Sequence, residues 1–399
     1  MLKQTFDRDS IAKLITPKDV WTWGLWSNSL EQEASLTRLV ESIQNKIGTI
    51  SHLDIHKHRG KNTYQASCVE DAIKFRNLDR CIRRIYKVKQ SDRNKIIGQI
   101  KRLLGDNGSY KVLRLDIEKC YESINFDSVI KKLSSGMILS PENIIILKSI
   151  QTQCDNQGIQ GLPRGLCFSP TITELFLEKI DKSLAMNKDV IYVTRYVDDY
   201  FLVVEENSAD KIEEFIEVKL QEIGLSLNHE SNKYYKNKSR DAEFVYLGYK
   251  FGVCYKKNNS NDVKVTISEE KLNRIKTKLV LSFNSFKKDQ LNSVGGASFN
   301  LLKQRINYIS VIKSIKKHDN GDLLGGIAFN YSHVSDGFEC LKPLDGFYND
   351  LISSSRFLLS PGQKAELKNK SLYGYVSTGA RGVFTRRKVK KITGVWKNA

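Results

Sequence analysis

The segment at residues 188–204, KDVIYVTRYVDDYFLVV, constrains this chain most. Apolar and β-branched residues run up to Asp198 and Asp199 and resume at Tyr200, a pattern that predicts a β-hairpin with two carboxylates at its tip. Adjacent aspartates repel each other unless a cation lies between them. Mg²⁺ prefers oxygen ligands and accepts one or two protein carboxylates. The alternative is ordinary turn chemistry, because Asp favours turns by bonding its own backbone.

A second strand that ends on a carboxylate favours the metal site. Residues 110–116 read YKVLRLD, which predicts a largely buried strand ending at Asp116. If this strand pairs antiparallel with the hairpin, Asp116 lies beside Asp198 and Asp199. Three carboxylates would then converge on two metal ions roughly 3.5 to 4 Å apart, one activating the attacking oxygen and one holding the leaving group.

Five motifs in a fixed order give the chain a family resemblance. They are Asp116 with Tyr121 five residues later, GLPRGLCFSP at 161–170, YVDDY at 196–200, GLSLN at 224–228 and YLGY at 246–249. In this order they resemble the palm motifs of reverse transcriptases, over about residues 64–251. Within that family the chain is most similar to the bacterial unknown-group and defence-associated enzymes, which are related to abortive-infection enzymes and more distantly to retrons.

The resemblance implies a right-hand polymerase. We expect an α/β palm with a mixed antiparallel sheet, helical fingers, a helical thumb and a basic helical C-terminal extension. The expected boundaries are an N-terminal extension at 1–63, fingers and palm at 64–263, a thumb at 264–320 and a C-terminal region at 321–399. The palm strands are expected at about 110–121, 188–204 and 244–255.

The reaction that the resemblance implies is attack of a 3′-hydroxyl on the α-phosphate of a deoxynucleoside triphosphate. Asp116, Asp198 and Asp199 would be catalytic and would hold two Mg²⁺ ions, for which Mn²⁺ is a substitute. The backbone carbonyl of Ile117 is a further candidate ligand. Catalysis would come mostly from metal electrostatics and positioning, so the acidic residues matter more than any general base.

The resemblance also implies which residues contact the nucleotide and the primer. Tyr121 is expected to exclude a 2′-hydroxyl and Lys233 to assist pyrophosphate departure, with Lys236 and Lys238 close enough in spacing to compete. The other candidates are Arg84, Arg93, Arg164 and Gly165 for the nucleotide, and Leu247, Gly248 and Tyr249 for the primer grip. Taken singly, the fingers arginines are equally compatible with a solvated basic face, and Tyr121 with a core tyrosine.

The net charge of +19 suggests a polyanionic partner, because Lys and Arg gain affinity by releasing counterions from phosphate backbones. The charge is clustered, which disfavours a protein that is basic only for solubility. The candidate nucleic-acid contacts are Arg80, Arg83 and Lys87 in the fingers and Arg386, Arg387 and Lys388 near the C-terminus. A disordered basic tail is the alternative for the last three.

Seven cysteines without a CxxC pair predict reduced thiols and neither a disulfide framework nor a zinc site. The histidines of HLDIHKHRGK at 52–61 are predicted to lie in a solvated basic loop. No apolar signal region opens the chain and no apolar run has membrane-spanning length, so we expect a cytoplasmic protein without membrane contact.

The predicted function is RNA-directed DNA synthesis in bacterial antiphage defence. The partners would be an RNA template, deoxynucleoside triphosphates and the DNA product. A dedicated noncoding RNA is one candidate for the template, and a homo-oligomer or a partner defence protein is also compatible. Two alternatives stay open. One is untemplated or protein-primed DNA synthesis on the same fold, and the other is a non-catalytic module that only binds nucleic acid.

Overall fold

The computed structural model describes residues 3–58, 60–106, 108–231, 233–237, 241–256, 261–291, 295–315 and 323–396. The helices are α1 (Arg8–Ala12), α2 (Pro17–Trp23), α3 (Ser29–Asn45), α4 (Val69–Ile85), α5 (Arg93–Leu104), α6 (Cys120–Ser123), α7 (Phe126–Ser135), α8 (Pro141–Asn156), α9 (Ser169–Ala185), α10 (Ala209–Gln221), α11 (Glu269–Leu291), α12 (Gly295–Ser310), α13 (Ile327–Asn330), α14 (Lys342–Ser353), α15 (Pro361–Lys368), α16 (Leu372–Ser377) and α17 (Arg386–Thr393). The strands are β1 (Leu53–His58), β2 (Lys61–Ala66), β3 (Tyr110–Ile117), β4 (Val190–Tyr196), β5 (Asp199–Glu205), β6 (Leu227–Asn228), β7 (Tyr235–Lys236), β8 (Ala242–Tyr246), β9 (Tyr249–Cys254), β10 (Asp262–Ile267), β11 (Ile312–Ile315), β12 (Leu323–Gly325) and β13 (Arg381–Phe384).

The chain forms two compact units, and neither is continuous in sequence. The first contains residues 1–91 and 109–236, and the second contains residues 92–108 and 237–399. Helix α5 therefore belongs to the second unit, although it precedes the central strand β3 of the first. The expected division into fingers and palm, thumb and C-terminal region stays a prediction, and its boundary at 320/321 lies outside the described residues.

The first unit is built around an antiparallel sheet with the order β4-β5-β3-β6, and β7 also pairs with β3. The apolar run in β5 is buried along most of its length. Its Leu202 and Val204 share one core with Ile212 and Ile216 of α10. Each such side chain contributes about 1.5 to 3 kcal/mol when it is fully buried. This packing fixes the strands whose ends carry the aspartates.

Local sequence signals place the supporting helices. Ser140 caps α8 by accepting a hydrogen bond from the backbone N–H of Asn143, and Pro141 is its first residue, as the Ser-Pro-Glu sequence predicts. Helix α10 is amphipathic and buries Ile212, Ile216 and Leu220 on its apolar face. The prediction of a loop at 52–61 is wrong, because most of this segment forms the antiparallel β1–β2 hairpin. Its histidines are nevertheless exposed to solvent.

The second unit contains two small sheets and its own core. Strands β8, β9 and β10 form an antiparallel sheet, and β11 pairs antiparallel with β12 and parallel with β13. Phe283, Leu302, Tyr348 and Trp396 meet in the core among α11, α12 and α14. The strand expected at about 244–255 as part of the palm is thus the β8–β9 hairpin of a separate sheet, because its backbone pairs with β10.

Helices α11 and α12 occupy most of the predicted thumb, and α12 begins inside the segment SVGGAS at 293–298, whose composition is more typical of a linker. All seven cysteines lie in the described part of the chain, and each is a free thiol. Among the described helices, none combines the length and apolar character that crossing a membrane requires.

Candidate active site

The hairpin β4–β5 presents Asp198 and Asp199 at its tip. Tyr196 pairs with Asp199, so Val197 and Asp198 form a two-residue turn. Val197 has φ +63°, in the first central position, where type II′ hairpin turns place glycine. A β-branched residue is disfavoured in this left-handed region. The turn that carries Asp198 is therefore held in a conformation that its own sequence does not favour.

Strand β3 brings Asp116 to the same end of the sheet. Asp116 is the direct cross-strand partner of Asp199, and the backbone N–H of Ile117 donates to the Asp198 carbonyl at 3.0 Å. Direct cross-strand partners place their side chains on the same face of a sheet. The structure thus brings Asp116 and the two hairpin aspartates together, and the antiparallel pairing predicted from the sequence is confirmed.

Arg114 neutralises one of these aspartates. Its guanidinium donates to both carboxylate oxygens of Asp199, at 3.1 and 3.0 Å. Burial nevertheless raises the pKa of Asp199 to about 6, against the opposing effect of Arg114. The Asp199 carboxylate therefore lies between the attractive charge of Arg114 and the repulsive charges of Asp116 and Asp198.

Asp198 and Asp116 form the second part of the acidic cluster. Burial raises the pKa of Asp198, and the neighbouring Asp116 raises it further. Asp116 accepts from Lys233 Nζ at 3.2 Å and from Asn228 Nδ2 at 3.5 Å. Two neighbouring carboxylates, of buried Asp116 and half-buried Asp198, offer only oxygen ligands, the donor set that suits a hard divalent cation. The residues therefore fit Mg²⁺ or Mn²⁺.

The three aspartates do not form one tight cage. Within the described ranges, the only three side chains whose ligand atoms all lie within 4.8 Å of one another are Glu213, Glu217 and His229. Glu213 is already paired with Lys236 Nζ at 2.7 Å, so a lysine outside that cluster already occupies one of its carboxylates. Asp199 is turned towards Arg114, which leaves Asp116 and Asp198 as the pair best placed for a shared ion.

Tyr121 lies beside this site and carries Arg164 on its ring. The guanidinium lies 4.7 Å from the ring centroid and donates to the carboxylate of Glu122 at 3.1 Å. Burial raises the pKa of Tyr121 to about 12, so its hydroxyl stays protonated. Arg164 and Tyr121 thus form one stacked surface. The ion pair with Glu122 fixes the orientation of the Arg164 guanidinium on it.

The glycines of the GLPRG segment allow close backbone contacts on both sides of Arg164. Gly161 has φ +64°, and a Cβ there would lie 2.3 Å from the Tyr121 carbonyl oxygen. Gly165 has φ +104°, and its Cβ would lie 2.9 Å from the carbonyl oxygen of Tyr64 in β2. Only glycine fits these positions without displacement. The segment is therefore held between β2 and the residues that follow β3.

Of the candidate lysines after the GLSLN motif, Lys233 is the one that the described structure places at Asp116. Lys236 is paired with Asp210 and Glu213 of α10. Lys238 lies outside the described residues. The geometry favours Lys233 for a contact near the carboxylates.

The fingers arginines divide into two groups. Arg80 donates to Asn77 and to the backbone of Lys3, and Arg83 donates to Asp79 and Thr171. These two side chains already donate to protein groups, and their expected nucleic-acid contacts stay a prediction. Arg84 and Lys87 are exposed and have no ion-pair partner among the described residues, so they stay available for a phosphate.

Arg93 makes its contacts within the second unit. It belongs to the second unit and donates to the Leu247 carbonyl at 3.1 and 2.7 Å. Its guanidinium lies between the rings of Tyr249 and Tyr331, 4.9 and 5.1 Å from their centroids. Arg93 therefore supports the predicted primer-grip turn, in which Leu247 and Gly248 both have positive φ. Its donors are engaged by backbone carbonyls, and the expected contact with the nucleotide stays a prediction.

The C-terminal cations lie on α17. Arg386, Arg387, Lys388, Lys390 and Lys391 are all exposed, and none has an ion-pair partner in the part of the chain that the structure describes. Residues that follow the cations anchor the helix, since Ile392 and Trp396 are buried. An ordered basic helix thus replaces the alternative of a disordered tail.

Two arginines that pair with acidic groups beside the site were missed by sequence reasoning. Arg114 and Arg195 lie inside mostly apolar strands, two and three residues before Asp116 and Asp198 respectively. A charged side chain in a buried strand must be paired. The position of these two cations in the sequence is therefore a signal of ion pairs beside the aspartates.

The comparison with protein families agrees with this geometry. Residues 55–251 match the model of the reverse transcriptase (RNA-dependent DNA polymerase) family. The matched segment is just under half of the chain and contains Asp116, Asp198 and Asp199. The match supports an RNA-directed DNA polymerase, and the mixture of helices and antiparallel sheet is consistent with the predicted right-hand polymerase fold. No curated protein sequence matches the chain significantly.

Telomerases from two yeasts are among the similar solved structures. Apo telomerase from Candida tropicalis, truncated from its C-terminal domain, is 14% identical with a TM-score of 0.34, over 61% of this chain and 50% of that one. Telomerase from Candida albicans in complex with a TWJ fragment of telomeric RNA is 10% identical with a TM-score of 0.38, over 90% of this chain and 65% of that one. The chain thus spans half to about two thirds of the length of these proteins.

Proposed function

We propose that this chain is an RNA-directed DNA polymerase that adds deoxynucleotides to a 3′-hydroxyl by two-metal nucleotidyl transfer. The observation that carries the proposal is the placement of Asp116 opposite Asp199 and beside the Asp198 turn, inside the segment that matches reverse transcriptases. Its partners would be an RNA template, deoxynucleoside triphosphates and the DNA product.

The three aspartates would hold two Mg²⁺ ions, with the Ile117 carbonyl as a further candidate ligand and Mn²⁺ as a substitute. When bound, such ions activate the attacking hydroxyl and stabilise charge on the leaving group. Lys233, already at Asp116, would place a positive charge near the departing pyrophosphate. Arg114 would orient Asp199, because it holds both oxygens of that carboxylate.

Tyr121 and Arg164 would form the nucleotide surface. The ring of Tyr121 would lie under the sugar and exclude a 2′-hydroxyl by steric conflict. Arg164, stacked on that ring, would offer a cation to the nucleotide or template, and Gly165 would allow close backbone approach. Arg84 and Lys87 are the exposed fingers cations suited to phosphates.

The second unit would contact the nucleic acid through two features. The Leu247–Gly248–Tyr249 turn would act as the primer grip, supported by Arg93. The exposed cations of α17 would bind phosphates without reading sequence, because point charges on a helix face neutralise backbone charge. Because they are exposed, we propose three of these cations as nucleic-acid contacts: Arg386, Arg387 and Lys388.

The test is incorporation of labelled deoxynucleotides by the purified chain with Mg²⁺ and with its co-purifying nucleic acid. Asp198→Ala/Asp199→Ala should abolish incorporation, since the metal ligands are lost. Asp189→Ala is the matched control, because this aspartate lies at the opposite end of the same hairpin and pairs with Lys211 on the surface. Equal nucleic-acid binding by all three proteins, with no synthesis by any, would favour a non-catalytic binding module.

Product sequence separates templated from untemplated synthesis. With all four nucleotides, a product complementary to the bound RNA supports templating, whereas a homopolymer or short repeat supports terminal transfer. Digestion with ribonuclease or protease then identifies whether the product is linked to RNA or to protein.

We propose antiphage defence in bacteria as the biological role, on the motif resemblance to defence-associated enzymes. The role predicts that cells carrying the natural locus resist phage and that Asp198→Ala/Asp199→Ala removes the resistance. Unchanged phage plating with the intact locus would exclude it.

A further inference from the structure

A buried ion cluster lies behind the turn that carries Asp198. Arg195 of β4, whose side chain is 4% exposed, donates to the two oxygens of Asp181 at 3.0 and 2.6 Å and to Glu174 at 2.8 Å. Both carboxylates lie on α9. The hydroxyl of Tyr200, on the other strand of the hairpin, donates to Asp181 at 2.8 Å. The cluster therefore joins α9 to both strands of the metal-site hairpin.

One further donor of Arg195 leaves the cluster and reaches the turn itself. Its Nη1 donates to the Val197 carbonyl at 2.6 Å. The next carbonyl, that of Asp198, accepts from the Ile117 N–H at 3.0 Å. Both peptide carbonyls of the two-residue turn are thus held, one by Arg195 and one by β3. The peptide groups on the two sides of the Asp198 Cα are fixed, which sets the direction of its Cα–Cβ bond.

This support matters because the turn is strained. Val197 has φ +63°, and β-branched residues avoid that region. Without a partner for the Val197 carbonyl, the turn would relax towards conformations with negative φ. Asp198 would then rotate away from Asp116. A strained residue persists only where its surroundings determine it, and the hydrogen bond from Arg195 supplies that determination.

We propose that Arg195 is a positioning residue that holds the strained Val197–Asp198 turn so that Asp198 and Asp116 share a divalent cation. The inference rests on the proposed function, since it concerns the same metal site. Lysine cannot replace the guanidinium, because a single ammonium nitrogen lacks the planar set of donors that reaches Asp181, Glu174 and the turn together.

The test measures Mn²⁺ binding directly, from the paramagnetic resonance signal of free Mn²⁺ in titrations of the nucleotide-free protein. Arg195→Lys should weaken binding by about tenfold or more, the range seen when an outer-shell partner of a metal ligand is lost. Adding Val197→Gly should restore most of the affinity, because glycine adopts positive φ without support. Mg²⁺ dependence of DNA synthesis should shift in parallel.

The matched control is Arg76→Lys. Arg76 makes a bidentate pair with buried Asp19 in the same unit, away from the hairpin, so it reports the general effect of losing such a pair. Its Mn²⁺ affinity should equal that of the wild type.

Three results would overturn the inference while the proposed function stands. The first is an unchanged Mn²⁺ affinity in Arg195→Lys. The second is a loss of affinity that Val197→Gly does not recover, because the loss would then come from the ion cluster and not from the turn. An equal loss in Arg76→Lys would also overturn it. A wild-type chain that neither binds Mn²⁺ nor makes DNA would overturn the proposed function, and this inference with it.

Discussion

Replacing Asp199 with asparagine should make the metal-free protein more stable at neutral pH. The pKa of this carboxyl is about 6 in the folded chain against an ordinary value of 3.8. The difference corresponds to about 3 kcal/mol of unfolding free energy, since one pKa unit is about 1.4 kcal/mol. Between these two values the folded state keeps a proton that the unfolded state has lost. The carboxyl therefore supports stability at low pH, and this support is lost as pH rises through about 6.

The assay is urea denaturation in EDTA from about pH 4 to about pH 7, followed by circular dichroism. The amide introduced by Asp199→Asn retains an oxygen that accepts from Arg114 but does not titrate. The stability of Asp199→Asn relative to wild type should rise across this range by about 2 to 3 kcal/mol. Asp54→Asn, on the exposed strand β1, is the control and should follow the wild type. Parallel pH curves for wild type and Asp199→Asn would refute the reasoning, and Mg²⁺ at neutral pH should stabilise the wild type more than the variant.

The geometry makes four further predictions. Tyr121→Val should lower the preference for deoxynucleotides over ribonucleotides by about tenfold or more, measured as the ratio of kcat/KM values, because the ring no longer excludes the 2′-hydroxyl. Gly161→Ala should cost at least about 2 kcal/mol in thermal denaturation, since it combines a positive φ with a backbone clash. Arg93→Gln should cost about 2 kcal/mol of stability through its lost carbonyl contacts, whereas Arg84→Gln should leave stability unchanged and raise KM for the nucleotide. Neutralising the first three cations of α17 should reduce the salt dependence of RNA binding, with a slope of log K against log salt smaller by about 2 to 3.

The parts of the site that could be predicted from the sequence are those that local residue patterns determine. The hairpin at 188–204 became strands Val190–Tyr196 and Asp199–Glu205, because a run of β-formers interrupted by two aspartates allows few other structures. Asp116 lies beside the hairpin because the strand that it ends, β3, pairs antiparallel with β5. The two strands could be predicted locally, whereas the pairing that joins them links residues far apart in sequence.

Contacts between distant residues explain what could not be predicted. The position of Arg93 depends on Asn330 and Leu247, to which it donates from far away in sequence. Strand β1 was missed because it is exposed on nearly every residue, and an exposed hairpin strand lacks the alternation that marks a half-buried one. The role of Arg195 depends on α9, which the hairpin sequence does not contain.

The interruption of the second unit by the first has a consequence for synthesis of the chain. Helix α5 buries Ile96, Ile97, Ile100 and Leu104, and within its unit Asn261 donates to the Leu104 carbonyl. On the ribosome, this apolar face emerges more than a hundred residues before residue 237, where its unit resumes. At about 5 to 20 residues per second it waits roughly ten seconds for its partners. A chain that stops at residue 236 would expose that face permanently, so aggregation of such fragments and a need for chaperones during translation are the expected costs of this arrangement.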